Sequence, residues 1–148
     1  MRAPLLKLLL LIAAAPALAL VTSCGTLAGG GAPDASPASG SITGDWTVET
    51  LHGHGVLEGV TLSLRFDEGG GFSADGGVNR LRSEYRIDGA AVGFSELLST
   101  RMAGRPELMD QEQELIDSIG GARAFRIQDG RLELLGADGQ RLLAARRG

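Results

Sequence analysis

The chain has 148 residues, a formal net charge of −4, 4% aromatic residues and a single cysteine. That length allows one modest domain. The acidic balance with no basic cluster argues against nucleic-acid binding, and one cysteine excludes an internal disulfide.

The first 23 residues read as an export signal. Arg2 and Lys7 give a positive start, Leu8 to Leu20 is almost uninterruptedly apolar, and small residues lead into Cys24. The apolar run falls short of the roughly 20 residues a membrane-spanning helix needs, so a cleaved signal is the expectation. Val21-Thr22-Ser23-Cys24 resembles a bacterial lipobox. The resemblance implies that Cys24 is lipidated and becomes the mature N-terminus, with acyl chains holding the protein to a membrane. A plain signal cut elsewhere, for example after Ala19, is the alternative. Position 25 is Gly rather than Asp, which in a host with two membranes favours the outer one. Removing Arg2 and Lys7 leaves the mature chain more acidic, with arginine as its only strong cation. Arg146 and Arg147 at the end read as solvated residues, not a lipid patch.

Residues 24–40 consist of Gly, Ala, Ser and Pro with little else. Such a stretch builds no core and is expected to be a flexible tether, with a mean span of roughly 20–24 Å as a coil. The folded domain is expected over 41–148.

From Ser41 the pattern is of short strands. Trp46, Val48 and Thr50 alternate with polar residues, as do Leu62, Leu64 and Phe66. Phe72 and Ala74 follow a Gly-rich turn, then come Leu81, Ser83, Tyr85 and Ile87, then Val92 and Phe94. After a helix, Phe125 and Ile127, Leu132 and Leu134, and Leu142 and Ala144 repeat the alternation. Period-two patterning with Asp-Gly turns predicts an antiparallel meander with one face buried. The helix runs from Pro106 to Gly120-Gly121. Leu108, Met109, Leu115, Ile116 and Ile119 form its apolar arc, opposite Glu107, Asp110, Glu114 and Asp117. The expected class is α+β: a bent antiparallel meander or partly open barrel of about eight strands, with one amphipathic helix packed on it.

Three stretches match a known pattern. Gly44-Asp45-Trp46-Thr47-Val48 with Leu51, Gly76-Gly77-Val78-Asn79-Arg80 with Tyr85, and Ser99-Thr100-Arg101-Met102-Ala103 followed by Leu108-Met109-Asp110-Gln111-Glu112 resemble segments of the META-domain or HslJ-like family. The resemblance covers about residues 43–146. It implies a bent, partly barrel-like sheet with a helix on it, in small envelope lipoproteins, some linked to heat stress or antibiotic tolerance. It supplies no catalytic residues. Many members carry a cysteine where this chain has Val78 and Gly104. Both are absent together, so no lone reactive thiol is left, and Val78 is expected to pack apolarly in the sulfur's place.

Glu112 sits within the apolar arc, where a carboxylate must be paired or hydrogen-bonded. Arg101, Arg80, Asn79 and the preceding loop backbone are its candidate partners. Glu112 either locks the helix to Thr100–Met102 or is a perturbed carboxylate in a pocket. Asn79, after two glycines, is read first as a turn residue and second as a ligand contact. Thr100 and Met102 read as core. His52-Gly53-His54 looks like half a metal site, but zinc needs more ligands than the chain has left. No nucleophile elbow, P-loop, dinucleotide fingerprint or calcium loop occurs, so neither cofactor nor enzymatic activity is expected. The expected function is a lipid-anchored envelope protein that binds an envelope partner. The alternative is a carrier of an acyl chain, similar to the cracked barrel of secretion pilotins, in a cleft lined by Met102, Met109, Leu108 and Leu115.

Overall fold

The structure is a computed structural model and describes residues 40–148. The expected signal peptide, Cys24 and all but the last residue of the tether lie outside the described residues. The strands are β1 (Gly44–Leu51), β2 (His54–Gly55), β3 (Ser63–Phe66), β4 (Gly71–Asp75), β5 (Arg80–Asp88), β6 (Ala91–Phe94) and β7 (Leu98–Ser99). The helix α1 (Pro106–Gly121) follows, then β8 (Ala124–Gln128), β9 (Arg131–Leu135) and β10 (Arg141–Arg147). All pairings are antiparallel, in the order β10-β9-β8-β6-β5-β4-β3-β1-β2, with β7 beside β5. β10 returns to pair with β1. The path thins at β6–β8, where only Ala91 faces Ala124. The sheet is therefore a strongly bent, partly open barrel.

Turn chemistry explains much of this. Asp129 and Gly130, between β8 and β9, both have positive φ (52° and 74°), the geometry that matches strand twist in a tight hairpin. Because every strand reverses, the barrel has two defined ends. One carries the turns at Asp67–Gly70, Asp88–Gly89 and Asp129–Gly130. The other carries His52, the Gly76–Asn79 turn, the 95–105 connection and α1.

The interior is lined with apolar side chains. Trp46, Leu62, Leu64, Phe66, Leu81 and Leu134 are fully buried, and Leu115 and Ile119 bring the helix onto the same cluster. Phe66 meets Phe72 at 4.9 Å and Tyr85 edge-on at 5.0 Å, while the Tyr85 hydroxyl donates to the Asp67 carbonyl at 2.8 Å. At the end away from the helix, Ile42 is buried and its carbonyl accepts the Trp46 indole N–H at 2.7 Å. Arg147 lies 4.5 Å from the Trp46 ring centroid and donates to the Ser41 carbonyl at 2.8 Å.

Three strand faces depart from simple alternation. The register of β1 slips between Val48 and Thr50, so Leu51 turns inward in place of Thr50. β10 slips between Arg141 and Leu143, so Leu143 and Ala145 join the core cluster. Leu142 packs beneath the helix end, its Cδ1 3.3 Å from where a Cβ on Gly121 would stand. Ile87 is 42% exposed, beyond the reach of the core.

The helix keeps its expected bounds, with Pro106 at its start. Its buried face is rotated toward polar residues: Gln111, Glu112, Leu115, Ser118 and Ile119 are buried, and Leu108, Met109 and Ile116 are half-buried.

Candidate functional site

α1 covers an end of the barrel where chain turns expose backbone groups, and its polar side chains meet them. Glu112 Oε2 accepts the Asn79 backbone N–H at 2.7 Å, and Oε1 accepts the Asn79 side-chain amide at 2.7 Å. Gln111 Oε1 accepts the Leu57 N–H at 2.6 Å. The Ser118 hydroxyl donates to the Glu114 carbonyl at 2.7 Å and lies 3.1 Å from His52 Nε2. The Glu112 and Gln111 contacts fix the helix to segments that would otherwise hold orphaned backbone amides, whereas the Ser118–Glu114 bond lies within α1. Among the described residues one buried side-chain donor, Gln111 Nε2, has no hydrogen-bond partner.

Asn79 is the hub. Its Oδ1 accepts the Thr100 hydroxyl at 2.8 Å and the Met102 N–H at 2.5 Å, and its Nδ2 also reaches the Met102 carbonyl at 3.1 Å. The amide thus pairs with Met102 as a neighbouring strand would. Gly76 is required beneath it, since a Cβ there would stand 2.7 Å from Glu112 Oε2. Glu112 and Asn79 come together as expected, but Arg101 and Arg80 are not the partners of Glu112. Backbone and side-chain amides satisfy the carboxylate, and Arg101 points outward with φ at +56°. Thr100 and Met102 are not core. They lie beyond β7 at the surface, with Met102 54% exposed.

The four residues expected to line an acyl cleft differ widely in exposure. Leu115 is completely buried in the core, Leu108 and Met109 are half-buried, and Met102 faces solvent. Val78 is half-buried and lies against Gly104, where a Cβ would stand 2.6 Å from Val78 Cγ2. The valine fills the space that a side chain at 104 would need. His52 and His54 share no third ligand, and the described residues hold no cluster of three metal-binding side chains. Ser118, beside His52, is fully buried, and its hydroxyl also lies within hydrogen-bond reach of the Glu114 and Leu142 carbonyls.

Gln111 and Ser118 escape the sequence reading because they are neutral polar residues on an arc judged by its apolar members. Their signal is positional: at 111, 115 and 118 they share one face with Leu115.

The outer face of β8–β10 carries charge in ladders. Burial works against the Glu133 carboxylate, but hydrogen bonds and charge from Arg126 and Arg141 outweigh it and hold its pKa below the ordinary carboxylate value. Glu49 faces Arg131 at 3.2 Å and Arg146 at 3.8 Å. Arg65, bracketed by Asp67 and Asp45, has its pKa raised.

A family model described as the META domain matches residues 40–148. Two solved structures are similar in fold. An NMR structure of a protein from Burkholderia xenovorans superposes with a TM-score of 0.58 at 17% identity, covering 80% of this chain and 98% of that one. A second NMR structure gives 0.57 at 19% identity, covering 70% and 87%. At those identities the likeness concerns the fold alone. No curated protein matches the chain.

Proposed function

This chain belongs to the META domain family, and on that premise we propose that it is a lipid-anchored, non-enzymatic protein of the cell envelope. Its work is binding, in support of envelope integrity or stress tolerance. In a host with two membranes it sits on the periplasmic face of the outer one. The anchor is Cys24, supported by the apolar leader and the lipobox-like Val21-Thr22-Ser23-Cys24.

One observation carries the binding reading. The buried polar residues of α1 bond to the backbone or side chains of this same domain: Glu112 to Asn79, Gln111 to the Leu57 N–H and Ser118 to the Leu142 carbonyl. These contacts hold the cap in place and leave the outer surface to act. Fold alone does not name the partner.

Metabolic labelling with an alkynyl palmitate analogue in an expressing bacterium tests the anchor. The wild-type chain is expected to take the label and fractionate with membranes, and Cys24→Ala to lose both. Label retained by Cys24→Ala, or a wild-type chain without label, contradicts the reading.

A further inference from the structure

Leu98 and Met102 are 64% and 54% exposed, yet they stand on a fixed backbone. β7 pairs Leu98 with Arg82 and Ser99 with Leu81. Asn79, itself held by buried Glu112, grips Met102 at both its N–H and its carbonyl. The Ser99 hydroxyl accepts the Arg101 N–H at 3.3 Å, with Arg101 in the left-handed region. Large apolar side chains held out in water by a buried polar clamp are organised in advance for a partner, which lowers the ordering cost of binding.

Arginines stand around them. Arg82 faces Leu98 across the pair, and the Arg80 N–H meets the Thr100 hydroxyl. Arg101 adjoins Met102, and Arg105 precedes the helix. Among the described residues none of these four arginines forms an ion pair, whereas Arg65, Arg126, Arg131, Arg141 and Arg146 all do. Carboxylates stand nearby without closing an ion pair on them: Asp75 faces Arg80 across the β4–β5 pair, and Glu84 and Glu96 line, with Arg82 and Leu98, an open groove of about 330 Å³. Arg86, Arg123 and Arg147 likewise form no ion pair among the described residues, but Arg80, Arg82, Arg101 and Arg105 are the ones on or next to the segments that carry the most exposed apolar side chains.

We propose that Leu98 and Met102, with Arg80, Arg82, Arg101 and Arg105, form a docking strip for a protein segment in which apolar side chains alternate with carboxylates. The arginines supply complementarity and the two apolar side chains the buried contact. Position favours a protein over the anchoring membrane. The strip lies at the helix end, and Ser41 enters at the opposite end. With Cys24 lipidated, on which only this orientation rests, the chain reaches the bilayer from the Ser41 end. β5, nine residues long, spans about 30 Å and carries the strip away from it.

The test uses the full chain in non-ionic detergent micelles, with 13C-labelled methionine methyl groups. The probe is a ten-residue peptide alternating Glu and Leu. It is expected to shift the Met102 methyl signal and leave half-buried Met109 unmoved, while a Lys/Leu peptide shifts neither. Arg82→Glu combined with Arg101→Glu is expected to weaken binding at least tenfold with unchanged circular dichroism, and Leu98→Ser to weaken it with the charges intact. An unmoved Met102, equal binding of the Lys/Leu peptide, or full affinity in the double variant overturns the proposal. Met102 broadened by phosphatidylglycerol vesicles but untouched by peptide overturns it in favour of a membrane surface. Cys24→Ala is expected to bind the Glu/Leu peptide unchanged, so a failed anchor and a failed strip are separately visible.

Discussion

Asn79 shows how one buried amide can order three segments. It joins the β4–β5 turn to α1 through Glu112 and to the β7–α1 connection through Thr100 and Met102. Hydrogen bonds to a charged group are the stronger kind, so Glu112→Gln is expected to cost about 2 kcal/mol in urea unfolding. An unchanged midpoint would contradict this account of the carboxylate. Val78 and Gly104 are a steric pair. Gly104→Ala is expected to destabilise by about 1–2 kcal/mol through overpacking, and Val78→Ala in the same chain to recover most of it. Additive losses in the double variant would rule out the contact. The Cβ of Val78 lies 3.4 Å from where one on Gly104 would stand, at the short edge of the roughly 3.5–4.5 Å that disulfides span. Val78→Cys with Gly104→Cys is therefore expected to oxidise and to raise stability by about 2–4 kcal/mol, read by unfolding with and without reductant.

At the scale of elements, α1 is a cap whose polar side chains meet the turns of the covered end. The Asn79 and Leu57 amides, accepted by Glu112 and Gln111, are expected to exchange hydrogen together with the helix core, and faster exchange would show the cap opening independently. On the β8–β10 face, Glu133 has a lowered folded pKa. It therefore stabilises the fold above the ordinary carboxylate pKa, and that contribution disappears as pH falls through the lowered value. Glu133→Gln is expected to flatten the acid limb of the stability profile, and an unaltered limb would contradict this. The helix bounds are legible in Pro106 and Gly120-Gly121, and most strands in their alternation. The faces at Thr50 and Leu142 are not, because a bulge displaces every later side chain by one position and leaves no compositional trace. Glu112 is legible as a buried acid, but its partner is not. Long-range charge suggests Arg101, whereas the turn at Asn79 brings its own amides closer.

Over the whole molecule, aliphatic and aromatic side chains fill the barrel from Ile42 at one end to Leu115 and Ile119 beneath the cap at the other. The proposed function uses the outer surface of this packed barrel and, through the proposed anchor at Cys24, sets it beside a membrane. The most direct measurement is native mass spectrometry of the full-length chain extracted from the membranes of an expressing bacterium. The account predicts a mass beginning at Cys24, increased by acyl groups that survive denaturation, with no further mass lost when the protein unfolds. A chain beginning elsewhere without acyl groups, or a fatty acid or phospholipid released on denaturation, would contradict it.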